Sequence, residues 1–507
     1  MRKTGTDHVF RNQESGKRGL SLFFAFAAGA AAVLGFAPVG FFPATLAALT
    51  ILVHLWLRAP SPRATFALGY CFGLGLYGAG VSWIYVSLHR FGAMPAPLAA
   101  TATLGFCAFL ALFPALAGWI QARIARDSAA PAGLRAALLI PAAWMLMEWP
   151  LSWFLTGFPW LAVGYAAIDD PLAGYAIVGG VYAVSLALAA AAGLLWCIAL
   201  GHARWLAVGA LGLLLACGFG LRTMEWTAPA GEPLRVALLQ GNVPQEMKFD
   251  PERYARTLET YARLAEGSTA RLIVLPETAV PRFLDLVEPA FLERLRSAAA
   301  RNGGDLLLGA PVRNPAGAYL NSVVSLGTSP SVFYYKVHLV PFGEFVPPGF
   351  GWIVRVLSIP LADFARGAVR QRPLAIAGQH VAVNVCYEDA YGAEIVRQLP
   401  EATLLVNVSN VAWFGDSLAP AQHLQIARMR ALETGRVYLT AANTGITAAI
   451  WPDGSVRQQM KQFVQGRIEF EVRGYSGATP YVLTGDWPAV LLALAALAFV
   501  ALQRRSR

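Results

Sequence analysis

Three polar residues stand at the ends of three separate strand-like runs, and as a set they could carry out acyl transfer through a thiol. Glu277 ends RLIVLPE, Lys336 ends VFYYK and Cys386 ends VAVNVC. In such a reaction a base must generate the thiolate, and a cation or hydrogen-bond donor must face the oxyanion of the tetrahedral intermediate. Glutamate, lysine and cysteine supply these functions. Each residue also has a purely structural explanation: Glu277 could cap a helix, Lys336 could be a solvated edge residue, and Cys386 could be a buried unreactive thiol.

The position of Cys386 among the cysteines sets it apart. Of five cysteines, four lie inside long apolar stretches, namely Cys71, Cys107, Cys197 and Cys217. Cys386 alone lies in the polar part of the chain, followed by Tyr387, Glu388 and Asp389. One thiol there has no partner for a disulfide and is too few for a structural zinc site. The remaining interpretations are an inert thiol and a nucleophile.

The elements that position these residues alternate between strands and helices. The predicted strands are Leu234–Gln240, Arg271–Leu275, Asp305–Gly309, Ser322–Leu326, Val332–Lys336, Val381–Cys386, Thr403–Val408, Val437–Ala442 and Thr447–Trp451. The predicted helices are Glu252–Glu266, Pro289–Asn302, Gly392–Leu399 and Pro420–Thr434. Many of the strands are apolar on both faces, which indicates an α/β or α+β layered domain with a largely buried sheet. Thr227–Pro233 is expected to be the linker that precedes it.

The composition indicates a membrane protein. Of 507 residues, 56% are hydrophobic and 14% are charged, whereas soluble domains carry about 25% charged residues. Eight candidate spans approach or exceed the ~20 residues that cross a bilayer. They are Gly19–Phe36, Phe41–Leu57, Thr65–Ser87, Ala96–Trp119, Leu134–Leu155, Leu172–Leu200, Trp205–Leu221 and Trp487–Leu502. The chain therefore divides into a seven-helix membrane domain (1–221), a polar domain (222–486) and an eighth helix with a tail (487–507).

The basic residues predict the orientation of these spans. Lys and Arg concentrate in the N-terminal tail, in the loops after spans two, four and six, and in the tail Arg504–Arg507, whereas the opposite loops are poor in them. By the positive-inside rule both termini are cytoplasmic and residues 222–486 lie across the membrane. The net charge of +10 reflects this topology, and the chain has no aromatic-interleaved basic patch, so we expect no nucleic-acid partner.

Several longer motifs carry a family resemblance. They are LPETAVP (275–281), YYKVHLVPFGEFVP (334–347), NVCYEDAYG (384–392), SNVAWFGDSLAPAQH (409–423) and RALETGR (430–436), with TGFPW (156–160) among the spans. Together they resemble the nitrilase, or carbon–nitrogen hydrolase, superfamily, and more closely its membrane branch, the apolipoprotein N-acyltransferases. The resemblance covers essentially the whole chain. It implies a nitrilase-like αββα sandwich attached to a polytopic α-helical membrane domain of eight transmembrane helices.

The resemblance also implies a role for each matching residue. Glu277 would be the general base, Cys386 the nucleophile, and Lys336 would hold the oxyanion together with the backbone N–H of Tyr387. Glu344 matches a second acid that orients Lys336. Tyr387, Glu388 and Glu433 match supporting positions, although Glu433 could equally lie on a solvated helix face. Three positions depart from the family pattern, namely Phe249, Val411 and Ala419.

Two apolar segments fit a lipid substrate. The stretch 342–367 is unusually apolar for a water-facing loop and is bracketed by Pro and Gly, and the turn at Trp413 and Phe414 is similar. Trp352 would be among the anchors of an arm that dips toward the bilayer, so Trp352, Trp413 and Phe414 are the predicted lid and substrate-binding residues. Packing in the domain core is the alternative for the long stretch.

The resemblance implies a two-step transfer in the inner membrane, with the catalytic domain on the periplasmic side. An acyl chain would pass from a phospholipid to Cys386 as a thioester, and then to the α-amino group of a lipoprotein's S-diacylglyceryl-cysteine, without metal or cofactor. A membrane-anchored amidase or nitrilase would use the same residues with water as acceptor. A transporter would need ionisable residues along the middle of several spans, where Glu148 is nearly the only candidate.

Overall fold

The computed structural model describes residues 6–245, 251–346 and 364–503. The chain forms two compact units. The first consists of Met1–Tyr85, Pro97–Thr223 and Asp486–Arg507, and the second consists of Val86–Ala96 and Met224–Gly485.

The first unit is helical. Its helices are α1 (Thr6–Ala32), α2 (Phe42–Arg58), α3 (Pro62–Gly80), α4 (Ile84–Val86), α5 (Ala96–Leu110), α6 (Leu112–Asp127), α7 (Ala132–Leu134), α8 (Ile140–Glu148), α9 (Ala176–Leu200) and α10 (Arg204–Thr223). The short helix α4 lies at the boundary with the second unit. Helices α1 and α3 approach closely because Gly29 and Gly75 face the backbone carbonyls of Phe72 and Phe26, where no β-carbon would fit. Small residues at such contacts are typical of helices packed in a bilayer.

The apolar helices indicate a membrane protein, but fewer of them qualify as spans than the eight that we predicted. Among the described residues, three stretches are long and apolar enough to cross a membrane, namely Ala96–Asp127, Pro171–Leu200 and Arg204–Thr223. A fourth qualifies if Pro62–Gly80 and Ile84–Phe91, which meet at a bend of 55°, form one span. Gly19–Gly35, Phe42–Arg58 and Trp487–Leu502 are shorter apolar helices. At 1.5 Å per residue, a helix of about 17 residues spans only about 25 Å.

The predicted span Leu134–Leu155 is interrupted in the structure. A π-helical turn (Arg135–Leu139) leads into α8, and a 3₁₀ turn (Trp149–Ser152) follows it. Proline lacks the N–H that a helix interior needs, and Pro150 lies at this change of helix type. Within this region Glu148 is 5% exposed and accepts hydrogen bonds from the backbone N–H of Val163 at 2.9 Å and the indole of Trp144 at 3.3 Å.

The second unit contains two six-stranded sheets. Its strands are β1 (Thr227–Gln240), β2 (Leu272–Val274), β3 (Asp305–Arg313), β4 (Tyr319–Gly327), β5 (Phe333–Tyr335), β6 (Leu374–Ile376), β7 (Gln379–Val385), β8 (Leu404–Ser409), β9 (Val437–Ala442), β10 (Ala448–Ile450), β11 (Val456–Gln459) and β12 (Gly466–Gly477). The first sheet has the order β12-β1-β2-β3-β4-β5 and the second has the order β11-β10-β9-β8-β7-β6. The helices of this unit are α11 (Pro251–Glu266), α12 (Pro289–Ala300), α13 (Gly392–Ile395), α14 (Ala419–Thr434) and α15 (Pro480–Thr484). The last helix, α16 (Trp487–Leu502), belongs to the first unit.

The two sheets and the helices on their outer faces form four layers, because side chains along each strand alternate between the two faces of its sheet. In β1, Leu234, Val236 and Leu238 enter one core with Val381, Val383 and Val385 of β7, so this core lies between the two sheets. The other face of the first sheet packs against α11 and α12, and that of the second packs against α14. Because successive strand residues point to opposite faces, a strand that is apolar on both faces supports both layers. The predicted αββα sandwich is confirmed.

Two predictions about the strands are wrong. Residues 227–233 are not a linker but the start of β1, which pairs antiparallel with β12 from Thr227↔Gly477 and bulges between Ala230 and Leu234. The strands β6, β11 and β12 were not predicted. In β12, Arg467, Glu469, Glu471 and Arg473 recur at every second position on an edge strand. Charged side chains protect an exposed edge strand from pairing with further strands. A strand of this kind has no apolar run, so the apolar pattern does not predict it.

Candidate active site

The ends of the predicted strands bring the three candidate residues to the sandwich edge. Glu277 follows β2 after Leu275 and Pro276, Lys336 directly follows β5, and Cys386 directly follows β7. The strands β1, β2 and β3 are parallel, and β5 runs in the same direction because it follows two antiparallel pairings. The carboxyl ends of these strands therefore lie at one edge of the first sheet, which is where ligand sites form in such sheets.

Lys336 forms buried ion pairs with two acids. Its Nζ lies 3.0 Å from the carboxylate of Glu344 and 3.4 Å from Oε1 of Glu277. Its side chain is 1% exposed. Burial alone would lower the pKa of Lys336, but the negative charges of Glu344 and Glu277 outweigh this effect and raise it. The ammonium is therefore a fixed positive charge of the kind that stabilises a developing oxyanion.

Asn321 contacts the same two acids and is not among the site residues predicted from the sequence. Its amide nitrogen donates to Oε1 of Glu277 and to Oε1 of Glu344, each at 2.8 Å. Its backbone carbonyl accepts from the N–H of Lys336 at 2.9 Å. Asn321 thus orients both carboxylates toward the ammonium. The available signal was an amide side chain within the strand-like run YLNSVVSL.

The second oxygen of Glu277 is also held. Oε2 accepts the backbone N–H of Asn410 at 2.9 Å, and the side chain of Asn410 donates to Gln245 at 2.9 Å. With only 6% of Glu277 exposed, the carboxylate has a defined orientation at the sandwich edge. A general base must be held in this way to meet the proton that it abstracts.

Cys386 adopts a strained backbone conformation. Its φ is +57°, a region in which a residue with a β-carbon costs of order 1–3 kcal/mol and that is frequent at functional sites. Its carbonyl oxygen accepts from the amide of Asn407 at 2.8 Å, and its side chain is partly exposed. Burial, and next the charge of Glu277, raise the pKa of Cys386, and Lys336 opposes them. At neutral pH the thiol is protonated, so it needs a base to become a nucleophile.

Glu388 connects the nucleophile strand to the lysine strand. Its carboxylate accepts four hydrogen bonds, from the N–H of Val385 (2.7 Å), the hydroxyl of Tyr334 (3.0 Å) and the N–H groups of Val337 (2.7 Å) and His338 (2.9 Å). Burial raises the pKa of Glu388 to about 7, although the hydrogen bond from His338 and the charge of Lys336 oppose this effect. The acid thereby ties the residue before Cys386 to those just after Lys336.

The structure places the other predicted supporting residues differently. The hydroxyl of Tyr387 donates to the carbonyl of Leu339 at 2.9 Å, and its ring centroid lies 5.9 Å from Nζ of Lys336. Glu433 forms an ion pair with Arg430 at 2.9 Å, and both side chains are at most 1% exposed. The alternative that Glu433 lies on a solvated helix face is therefore wrong.

Two of the three predicted lid residues, Trp413 and Phe414, lie within the described part of the chain. Trp413 is 40% exposed, its carbonyl accepts from the hydroxyl of Ser87 at 2.7 Å, and its ring centroid lies 6.3 Å from that of Phe91. Phe414 ends the same 3₁₀ turn (Val411–Phe414) and is half-buried. Trp352 lies outside the described residues.

The two ends of the apolar stretch 342–367 meet beside the ion pair. The N–H of Phe364 donates to the carbonyl of Glu344 at 2.9 Å, and the N–H of Gly367 donates to the carbonyl of Lys336 at 2.8 Å. Glu344, Phe364 and Gly367, near the two ends of the stretch, are therefore hydrogen-bonded beside the candidate site.

Two of the three departures from the family pattern lie within the described residues, and Val411 directly follows Asn410, whose backbone N–H donates to Glu277. Val411 is 2% exposed and Ala419 is fully buried at the start of α14, and Phe249 lies outside the described residues. Over residues 6–245, 251–346 and 364–503, no group of three or more His, Cys, Asp or Glu side chains is placed to hold a metal ion.

Comparisons with known proteins identify the family of the two parts of the chain. Sequence models match the apolipoprotein N-acyltransferase N-terminal domain at residues 28–194 and the carbon-nitrogen hydrolase domain at residues 235–481. A relative named apolipoprotein N-acyltransferase from Nitrosomonas europaea is 49% identical over 92% of this chain and 94% of its own length. Two more with that name, from Ralstonia nicotianae and Chromobacterium violaceum, are each 45% identical over 93% of this chain and over 93% and 91% of their own lengths.

These names favour an acyltransferase over the amidase and transporter alternatives. An identity above 40% across more than nine-tenths of each chain covers the helical unit and the sandwich together. The chain is therefore an acyltransferase enzyme, and it belongs to the apolipoprotein N-acyltransferase family.

Proposed function

We propose that this enzyme transfers an acyl chain from a phospholipid, through a thioester on Cys386, to the α-amino group of a lipoprotein's S-diacylglyceryl-cysteine. The observation that carries the proposal is the buried ammonium of Lys336 between the carboxylates of Glu277 and Glu344. One acid is available as the base, while the other keeps the lysine charged. The names of the relatives support the lipoprotein acceptor.

In the first step Glu277 takes the proton of the Cys386 thiol, and the sulfur attacks the carbonyl carbon of a phospholipid ester. The oxyanion that forms faces Lys336 and the backbone N–H of Tyr387. When the tetrahedral intermediate collapses, the carbon–oxygen bond breaks and the lysophospholipid leaves as an alcohol, with the proton that Glu277 returns. A buried acid can give back the proton that it took because the site excludes competing water.

In the second step the free amine attacks the thioester. Glu277 accepts a proton from the amine, the carbon–sulfur bond breaks, and the thiol of Cys386 is reprotonated. The products are an N-acylated lipoprotein and the starting enzyme. Glu344, Glu388 and Tyr387 would position Lys336 and Cys386, and Glu433 would stabilise the helix behind them. No step requires a metal ion or cofactor.

Both substrates are lipids, so the sandwich must work at a membrane surface. We infer eight spans, with the domains at 1–221, 222–486 and 487–507, both termini in the cytoplasm and the sandwich on the periplasmic side of the inner membrane. The bent pair Pro62–Gly80 and Ile84–Phe91 and the shorter apolar helices Gly19–Gly35, Phe42–Arg58 and Trp487–Leu502 support four additional spans, and the interrupted stretch Leu134–Leu155 would be the eighth. A helix somewhat shorter than the bilayer is accommodated by local thinning at modest cost. Trp352, Trp413 and Phe414 would contact the lipid.

The proposal is tested by mass spectrometry of the purified protein after incubation with a phospholipid of defined acyl chains. We expect one acyl adduct on the peptide that contains Cys386, together with released lysophospholipid. Adding a diacylated lipopeptide should remove the adduct and yield the triacylated peptide. Cys386→Ala should give neither product. Release of free fatty acid without N-acylated peptide would instead support the amidase alternative, and transfer by Cys386→Ala would exclude a thioester.

A further inference from the structure

A buried histidine–carboxylate pair lies against the backbone of Cys386. The Nε2 of His423, on α14, lies 3.0 Å from Oδ2 of Asp389 and 3.3 Å from the carbonyl oxygen of Cys386. Asp389 is fully buried and His423 is 6% exposed. Asp389 belongs to the 3₁₀ turn Cys386–Ala390 that starts at the nucleophile.

The charges around His423 favour the imidazolium form. Burial lowers the pKa of His423, but the carboxylate of Asp389 outweighs burial and raises it, and Glu277 acts in the same direction. On its own helix, Arg430 and Glu433 neutralise each other at 2.9 Å. A buried carboxylate without a counter-charge would be costly, so Asp389 and His423 stabilise each other as a pair that adds no net charge to the site.

The carbonyl that His423 contacts belongs to the peptide unit that also carries the N–H of Tyr387. Because a peptide unit is planar and trans, its C=O and N–H point in opposite directions. Asn407 at 2.8 Å and His423 at 3.3 Å both contact the Cys386 oxygen. Holding that oxygen therefore holds the direction of the Tyr387 N–H on the opposite side, and it also holds Cys386 at its φ of +57°.

We propose that Asp389 and His423 are positioning residues which orient the Cys386–Tyr387 peptide, so that the Tyr387 N–H faces the oxyanion of the bound acyl group. The proposal rests on the proposed function, because it requires an oxyanion at Cys386. The Nε2–H of His423 faces both the carboxylate of Asp389 and the carbonyl of Cys386, so the carboxylate keeps this N–H beside the carbonyl, and the rigid peptide transmits the orientation to the Tyr387 N–H. Neither side chain touches the substrate.

Two reactions of the same thiol separate this role from a purely structural one. Acylation of Cys386 by phospholipid forms an oxyanion, whereas alkylation by iodoacetamide displaces iodide at a saturated carbon and forms none. In His423→Ala we expect the single-turnover release of lysophospholipid to fall by about 100-fold, the usual loss for one oxyanion donor. The phospholipid concentration for half-maximal rate and the alkylation rate of the Cys386 peptide should each change by less than about threefold, because neither depends on the oxyanion.

A neutral replacement pair tests the same idea by rescue. In the double variant His423→Gln with Asp389→Asn, an amide N–H can still donate to the Cys386 carbonyl, and no buried charge is left without a partner. We expect this variant to recover acylation to within about tenfold of the wild type. His380→Ala is the matched control, because His380 pairs with Glu401 at 3.9 Å with about half of each side chain exposed.

Three outcomes would overturn the proposal. They are acylation by His423→Ala at the wild-type rate, parallel loss of acylation and alkylation, and a double variant no better than His423→Ala. A wild-type protein that is alkylated at Cys386 but releases no lysophospholipid would overturn the proposed function itself, and this result is visible before any variant is compared.

Discussion

Lys336 and Glu344 form an ion pair across 3.0 Å, in which only 1% and 12% of the two side chains are exposed. The residues are eight positions apart, and the backbone carbonyls of both accept hydrogen bonds from the far end of the apolar stretch, at Gly367 and Phe364. Lys336, whose ammonium we expect to stabilise the oxyanion, and its partner Glu344 therefore also bind the far end of the predicted lipid-binding arm through their backbone carbonyls.

Replacing Glu344 by Gln should narrow the pH range of activity. Glu344 is the largest contribution that raises the pKa of Lys336, so its removal lowers that pKa. The lysine then loses its proton at a lower pH, and the alkaline limit of acylation should move toward neutrality. The measurement is lysophospholipid release between pH 6 and about 10. Glu293→Gln, at an exposed pair with Arg296, is the control. An unchanged alkaline limit would contradict the assigned role of Glu344.

Lys336→Ala should slow formation of the acyl-enzyme. The ammonium is the fixed charge nearest to the expected oxyanion, and loss of one such group costs about 2.7–4 kcal/mol, or roughly 10²–10³ in rate. Intact-mass spectrometry over time measures the thioester directly. Glu277→Gln should slow the same step through loss of the base. If either variant forms thioester as fast as the wild type, its assigned role is wrong.

Steady-state kinetics should follow a ping-pong pattern. A thioester on Cys386 requires the lysophospholipid to leave before the amine attacks. Double-reciprocal plots at several acceptor concentrations should be parallel, and lysophospholipid should appear without acceptor in an amount equal to that of enzyme. Intersecting lines, with no lysophospholipid in the absence of acceptor, would indicate direct transfer in a ternary complex.

Glu388→Gln should flatten the dependence of stability on pH. Burial raises the pKa of Glu388 from its ordinary 4.5 to about 7, so the folded protein binds a proton that the unfolded chain releases. This contribution is fully present below about pH 4.5 and is lost as the pH rises through about 7, with a size on the order of 3 kcal/mol. Denaturant unfolding at pH 5, 6 and 7 measures the slope.

The Glu388→Gln variant should be compared with the wild type across this pH range and not at one pH alone, because an amide cannot accept all four hydrogen bonds that Glu388 accepts. The variant should be less stable throughout, with a smaller decrease between pH 5 and 7. The exposed Glu401→Gln should keep the wild-type slope. A wild-type slope in Glu388→Gln as well would show that this carboxyl does not titrate in the window.

Arg436→Leu should strongly destabilise the sandwich. Arg436 is fully buried and donates to the carbonyls of Ala402 at 2.7 Å, Gly477 at 2.7 Å and Pro400 at 3.3 Å. Leucine would leave these acceptors without their donor, at about 1–3 kcal/mol for each buried group. Thermal unfolding should show a large decrease in Tm. Arg457→Leu, at an exposed pair with Asp453, should change it little.

Local patterns in the sequence determined most of the sandwich and the three central residues. Apolar runs identified the buried strands from β1 to β10 apart from β6, and a polar residue after such a run marked Glu277, Lys336 and Cys386. Both signals depend on a few neighbouring residues, because a strand alternates its faces and ends where polar residues follow. The helix predicted at Pro420–Thr434 is likewise present as Ala419–Thr434.

Only the tertiary structure decided what surrounds these residues. Asn321 reaches Glu277 across 44 positions, and Asn410 reaches Gln245 across 165. The edge strand β12 pairs with β1 although more than 200 residues separate their partners (Gly477 and Thr227). Helix α14 is buried on nearly all sides, so its periodicity could not tell a solvated Glu433 from a paired one. Such contacts depend on which surfaces the folded layers bring together, and no local pattern encodes that choice.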